Sequence, residues 1–165
     1  MYSQIDSNKR NSVILMMVFI TIIIGIGYGL EYIWGDGSYA IVWGAIILSL
    51  LMTSVSYFKG DQIALTSTGA KPITKETDHY LYNMVENLCI ANGMPMPKVY
   101  VIEDMAINAF ATGRKPDLSS IAVTRGAIQK LANEELEGVI AHELSHIKNY
   151  DIRFMTLVAV LVGTI

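Results

Sequence analysis

The chain has 165 residues, 52% of them hydrophobic and 16% charged, with a formal net charge of −3 and a mean hydropathy of +0.40. A soluble domain usually carries about 25% charged residues, so this balance excludes an ordinary cytosolic domain, a disordered chain and a strongly cationic nucleic-acid binder. The single cysteine excludes a disulfide framework and a Cys-paired zinc finger, which leaves a membrane protein, or a soluble domain with a membrane part attached.

Charge is unevenly placed. Residues 1–58 hold only Asp6, Lys9, Arg10, Glu31 and Asp36, and the other charged side chains follow residue 58. Residues 11–30 and 37–58 are uncharged, and at 1.5 Å per residue either run crosses a hydrocarbon core of about 30 Å as a helix. Soluble core helices keep a polar face, and a signal peptide has a shorter apolar run with no equal second one. The pair therefore reads as a transmembrane hairpin. Lys9 and Arg10 precede it, Lys59 and Lys71 follow it, and the connection between the runs has no basic residue. The positive-inside rule then places both ends, and everything after residue 59, in the cytoplasm. Tyr32, Trp34 and Tyr39 sit at the loop edge as interfacial aromatics, and Gly25 and Gly29 form a small-residue pair that could pack on Ala45 and Ser49.

After the hairpin, residues 61–74 have the Gly, Ser, Thr and Pro content of a linker. A helix is predicted to open at Thr74 as N-cap, to align Leu81, Val85, Leu88 and Cys89 on one face, and to close at Asn92-Gly93. His79 on that helix reads as a surface residue, and Cys89 as a small core residue rather than a nucleophile. Residues 98–102 read as a strand, 105–111 as a second ending at Thr112-Gly113, and 121–124 as a third, with a short helix over 127–131. The part after the hairpin is thus α+β, a small sheet preceding the last long helix.

That helix, over 132–149, carries the chemistry. Asn133 reads as its N-cap, and Glu134, Glu135 and Glu137 favour its N-terminus electrostatically. Within it stands His142-Glu143-Leu144-Ser145-His146, an H-E-x-x-H pattern. Residues i and i+4 share a helix face, so both imidazoles can reach one ion, and Glu143 lies where it can deprotonate a water held there. At about 100° per residue, Leu136, Val139, Ile140, Leu144 and Ile147 form one apolar arc. His142 and His146 border this arc and Glu143 falls within it. A carboxylate inside a buried arc needs a partner.

With Asn108-Ala109-Phe110-Ala111-Thr112-Gly113 upstream, Ala141 to Ile147 around the motif, Asp151 beyond, and two spans before them, the sequence resembles the HtpX family of membrane-bound zinc metalloendopeptidases. The resemblance implies an α+β zincin-like, gluzincin-type catalytic segment with a small sheet and an active-site helix, preceded by the transmembrane hairpin. By position it implies His142 and His146 as zinc ligands, Glu143 as general base, Asn108, Ala109 and Phe110 as substrate-binding, and Asp151 as the residue orienting a ligand histidine. It further implies a multi-pass protein of the cell membrane, one Zn2+ per site, and cleavage of damaged or misassembled membrane proteins on the cytoplasmic side. Polypeptides and the lipid bilayer are its expected partners, and nucleic acid is not.

The family's third zinc ligand is a glutamate on a later helix, and no equivalent lies within residues 147–165. It is therefore expected beyond Ile165. Residues 154–165 are uncharged and apolar, the expected start of a third span. The expected division is a tail and two spans over 1–58, an incomplete cytoplasmic zincin-like domain over 59–151, and the third span from 152–165, in a fragment of a longer enzyme. A non-catalytic membrane adaptor with a structural or vestigial metal site remains open as the alternative reading. A metal transporter is disfavoured, because 11–30 and 37–58 contain no charged residue.

Overall fold

The computed structural model describes residues 2–163; Met1, and the Thr164 and Ile165 of the expected third span, lie outside the described residues. Helix α1 (Tyr2–Trp34) and helix α2 (Ala40–Ser67) pack as a hairpin, and both are long and apolar enough to cross a membrane. Their large apolar side chains point outward: Met17, Ile22, Trp43, Ile47 and Leu51 are all exposed, as expected of a surface whose solvent is lipid. Glu31, almost the last turn of α1, is buried at 8% exposure. Its carboxylate accepts from the Tyr39 amide (3.1 Å) and the Ile41 amide (3.3 Å). It thereby satisfies N–H groups that the start of α2 leaves without intrahelical partners.

The two helices touch at a glycine other than the predicted pair. A Cβ on Gly25 or Gly29 would meet nothing within 4 Å, whereas one on Gly27 would lie 2.5 Å from the Ala45 Cβ. The small-residue spacing was legible, but the rotation of the helix that selects one glycine over its neighbours depends on the packed pair.

Helix α2 runs on to Ser67, through the first half of the expected linker. The Gly and Ser content there is offset by Ile63, Ala64 and Leu65, of which Ala64 and Leu65 are buried. Strand β1 (Lys71–Pro72) then joins strand β2 (Lys98–Ile102), strand β3 (Ala109–Lys115) and strand β4 (Leu118–Thr124) in a sheet of order β1-β2-β4-β3. Strands β2 and β4 are parallel, while β1 and β3 pair antiparallel to their neighbours. Strand β3 is therefore an edge.

Helix α3 (His79–Asn92) opens four residues later than predicted, on Asp78, whose side chain accepts from the Leu81 amide (3.1 Å). Thr74 is consumed in a local turn, with the Thr77 hydroxyl accepting from its amide (2.8 Å). Helix α4 (Arg125–Lys130), helix α5 (Asn133–Asn149) and helix α6 (Asp151–Val162) complete the chain. One core joins Leu81, Val85 and Cys89 of α3, Val99 and Val101 of β2, Ile121 and Val123 of β4, and Leu136, Ile140, Leu144 and Ile147 of α5. Arg125 ties its rim, donating to Glu103 (2.8 Å) and lying 3.6 Å from the cap Asp78.

Replacing Gly27 by valine should overpack the hairpin at a cost of about 1–3 kcal/mol. A lowered thermal midpoint for Gly27→Val, with Gly25→Val close to the parent, checks this contact.

Candidate metal centre

Helix α5 is built with two faces. Leu136, Ile140, Leu144 and Ile147 recur at helical spacing and are at most 1% exposed, so burying that row on the sheet fixes the rotation of the helix. Its start is held by Glu135, which accepts from the Ala132 amide (2.9 Å). Asn133, expected as cap, is the first helical residue, and its side chain accepts from the Tyr80 hydroxyl (2.8 Å).

The rotation turns His142 and His146 together. Their rings meet edge to face with centroids 4.6 Å apart, and the two Nε2 atoms are 3.1 Å apart. Two imidazole nitrogens on one tetrahedral ion, each at about 2.0–2.1 Å, stand about 3.3 Å from each other. The pair therefore fits a shared metal. On the far side of the His146 ring, Nδ1 lies 2.8 Å from Asp151 Oδ2. A carboxylate there keeps the proton on Nδ1 and leaves the Nε2 lone pair free. Among the described residues no third histidine, cysteine or carboxylate completes a ligand cluster.

Asp151 reaches His146 because the chain breaks between α5 and α6. Tyr150 takes a left-handed conformation there (φ 62°), which turns the chain into α6 with Asp151 as its first residue. Two residues from the beginning of the chain brace this corner. The Asn8 side chain donates to the Asn149 carbonyl (3.0 Å), and the Lys9 ammonium sits 4.6 Å from the Tyr150 ring centroid.

Glu143 faces the sheet edge. Its Oε2 accepts from the Ala111 amide (3.1 Å), and burial pushes its carboxyl above the usual carboxylate range, against the lowering influence of His146 and Ala111. The Ala111 bond also shows which strand groups point outward. Odd residues of β3 turn away from β4: the Gly113 amide donates to the Thr156 hydroxyl of α6 (3.3 Å), and the Ala109 amide to the Asn108 side chain (2.9 Å). The carbonyls of Ala109 and Ala111 consequently face the open edge.

Of the three residues expected to bind substrate, Ala109 and Phe110 line a cleft of about 420 Å³ with Glu143 and His146. Asn108 is exposed and positions Ala109 rather than the cleft. The cleft's remaining wall comes from α2 with its C-cap Thr68, and from α6, including Ala64 and Met155. Strand β3 lies four residues later than predicted. The Thr124 hydroxyl donates to the Ala106 carbonyl (2.7 Å) and accepts from the Asn108 amide (2.9 Å), clamping 106–108 as a loop. Thr124, Ala111, Thr156, Asn8 and Lys9 are the positioning residues that the sequence did not single out. Ala111 stood in the sequence only as part of the Asn108 to Gly113 motif, with no role of its own. As expected, Cys89 is buried, which raises its thiol pKa, and His79 is exposed.

The sequence model of peptidase family M48 matches residues 75–165. A protease HtpX homolog of Caldanaerobacter subterraneus subsp. tengcongensis is 42% identical over 165 residues, covering 100% of this chain and 55% of that protein. Another, of Dictyoglomus thermophilum, is 42% identical over 164 residues, covering 99% and 54%. A third, of Streptococcus mutans, is 38% identical over 165 residues, covering 100% and 55%. The chain thus spans about half the length of these curated relatives. Among solved structures, the crystal structure of S. mikatae Ste24p matches 99% of this chain and 38% of that one, with a TM-score of 0.52 at 18% identity. That likeness shows a shared fold.

The raised pKa of Glu143 has a consequence for the metal-free protein. The folded chain holds this proton more tightly than the unfolded chain, so stability is fullest below the ordinary carboxylate range and falls as pH rises through the raised value. Glu143→Gln should flatten that decline and raise the thermal midpoint at pH 7. Midpoints measured from pH 4 to 8 in a chelator check this.

Proposed function

The chain belongs to peptidase family M48, and from that premise we propose that the protein is a membrane-anchored zinc endopeptidase with a zincin-like catalytic segment, acting on damaged or misassembled membrane proteins at the cytoplasmic face. The observation that carries the reading is the convergence of the His142 and His146 Nε2 atoms beside Glu143, on a cleft whose other wall is the sheet edge. His142 and His146 would hold the ion, and we assign the third ligand to a glutamate in a part of the protein beyond these residues. A divalent ion held there supplies electrophilic activation of the scissile carbonyl and of a water.

The chain's own groups do the rest. Glu143 takes the proton of the attacking water and returns it to the leaving amine, a role favoured by a carboxyl whose pKa burial has moved toward neutrality. Asp151 keeps His146 in the tautomer that presents Nε2 to the cleft. The Ala109 and Ala111 carbonyls accept from an extended substrate backbone laid along the β3 edge. Beyond Ala111 the edge is already occupied by Thr156, so the pairing stretch is short. Phe110 contributes to the wall that receives a side chain.

Two features support a membrane substrate. The cleft is walled by α2 and α6, the first of which is long and apolar enough to span a bilayer, so a chain leaving the membrane meets it directly. The basic residues Lys9, Arg10 and Lys59 at one end of the hairpin support a multi-pass topology with the catalytic part in the cytoplasm.

Cleavage of an unfolded polypeptide by the protein at its natural length should stop in a chelator and resume with zinc. Glu143→Gln should slow it about 100-fold or more while zinc is still bound. Unchanged cleavage in that variant rejects the mechanism, and zinc binding with no cleavage by the parent favours the adaptor reading. Asp151→Asn should weaken zinc binding about 10–100-fold, measured by competition with a chromogenic chelator.

A further inference from the structure

A second pocket adjoins the cleft, with Thr156 of α6 lining both. It measures about 200 Å³ and is lined by α2 between Ser56 and Gln62, by β3 at Gly113 and Arg114, and by the first two turns of α6. Two guanidinium groups converge on it. That of Arg114 stands 5.8 Å from the Tyr57 ring centroid and 5.2 Å from that of Phe58, and that of Arg153 stands 6.0 Å from Tyr57. Arg153 is oriented through its Nε, which donates to the Arg114 carbonyl (3.2 Å), and among the described residues its terminal nitrogens donate no hydrogen bond. Among the described residues neither arginine has a carboxylate within ion-pair distance, although Asp61 lines the same pocket. Lys98 adds a third cation at the rim, so the pocket is net positive. Three cations against the single carboxylate of Asp61 leave a repulsion that a bound anion would relieve. The Ser56 hydroxyl, on a residue only 2% exposed that also lines the pocket, has no hydrogen-bond partner.

The pocket's depth decides what kind of anion it meets. Tyr57 and Phe58 end the uncharged run of α2, and Lys59 follows at once. Arg153 stands between Tyr150, which packs under Lys9 at the charged end of α1, and Thr156, whose methyl would lie 2.9 Å from a Cβ on Gly60. Both arginines are thus level with the charged ends of the two membrane helices. That is the headgroup layer on the basic side, where anionic lipid is concentrated. Arginine matches phosphate in bidentate geometry, and ring faces beneath the guanidinium hold its plane.

We propose that Arg114 and Arg153 form a binding site for the phosphate of an anionic phospholipid headgroup, docked against Tyr57 and Phe58 at the membrane surface. The inference rests on the reading of α1 and α2 as membrane helices and makes no use of the proteolytic site. Binding is measured without turnover, so the two readings fail separately.

The test uses the protein at its natural length, purified in a mild detergent. It is titrated with short-chain phosphatidylglycerol, with short-chain phosphatidylcholine, and with inorganic phosphate. Bound lipid is counted by native mass spectrometry and the thermal midpoint is followed. Phosphatidylglycerol should bind in preference to phosphatidylcholine and raise the midpoint. Arg114→Gln and Arg153→Gln should each weaken phosphatidylglycerol binding about tenfold, the loss of one charge-assisted contact. Lys59→Gln, which removes a neighbouring charge outside the pocket, should leave it nearly unchanged. If Arg153→Gln does not fold, Arg114→Gln decides, because among the described residues its guanidinium donates no hydrogen bond. Equal losses in Lys59→Gln and the arginine variants mean general surface attraction and overturn the site. Stabilisation by inorganic phosphate equal to that by the lipid overturns the lipid assignment. So does displacement of the lipid by a peptide with a free C-terminal carboxylate.

Discussion

The pitch of α5 is the constraint on which the rest of the structure depends. Its apolar row must lie against the sheet, and Leu136, Ile140, Leu144 and Ile147 are almost fully withdrawn from solvent. Once that row is buried, the positions of His142, Glu143 and His146 are no longer free. The two imidazoles rotate to one border of the buried face, and the carboxylate between them is aimed at the neighbouring strand. Removing one buried leucine from such a row typically costs about 2–5 kcal/mol. The same packing that stabilises the domain therefore also sets the spacing of the candidate ligands.

Helix α6 carries this arrangement to the membrane. At its start, Asp151 grips His146. One turn further on, Thr156 bonds to Thr112 (2.8 Å) and to the Gly113 amide, while its methyl group lies against Gly60 of α2. A single short helix thus touches α5, the sheet edge and the hairpin of α1 and α2. The lack of a side chain at Gly60 permits that approach. The site and the bilayer are joined through packed side chains rather than through a flexible linker.

Much of this was legible in the sequence because it depends on patterns local to one element. The uncharged runs, strand β2, the apolar row of α5 and the spacing of the histidines are all of that kind. What was not legible depends on choices between near-equivalent local options. Thr74 and Asp78 are both good caps, and the selection of Asp78 follows from Thr77 closing a turn on Thr74. Met105 to Ala111 has enough apolar content for a strand, but Thr124 bonds its middle into a loop and the pairing begins at Ala109. The hairpin offered three glycines on alternate positions, and only the packed pair selects Gly27. Residues far apart in sequence, such as Asn8 beside Asn149, leave no local trace at all.

That last contact bears on the order in which the molecule forms. The Asn8 side chain is bonded to the carbonyl of Asn149, 141 residues away, and Lys9 covers the very next ring. The corner that presents Asp151 to His146 can be braced only after nearly the whole of this chain has left the ribosome. By then α1 and α2, which come first, have emerged long before. Closing a loop of this length adds little entropy cost over a shorter one, since the cost grows only logarithmically, but it cannot occur early. The hairpin is therefore available to the membrane before the histidine pair receives its final support.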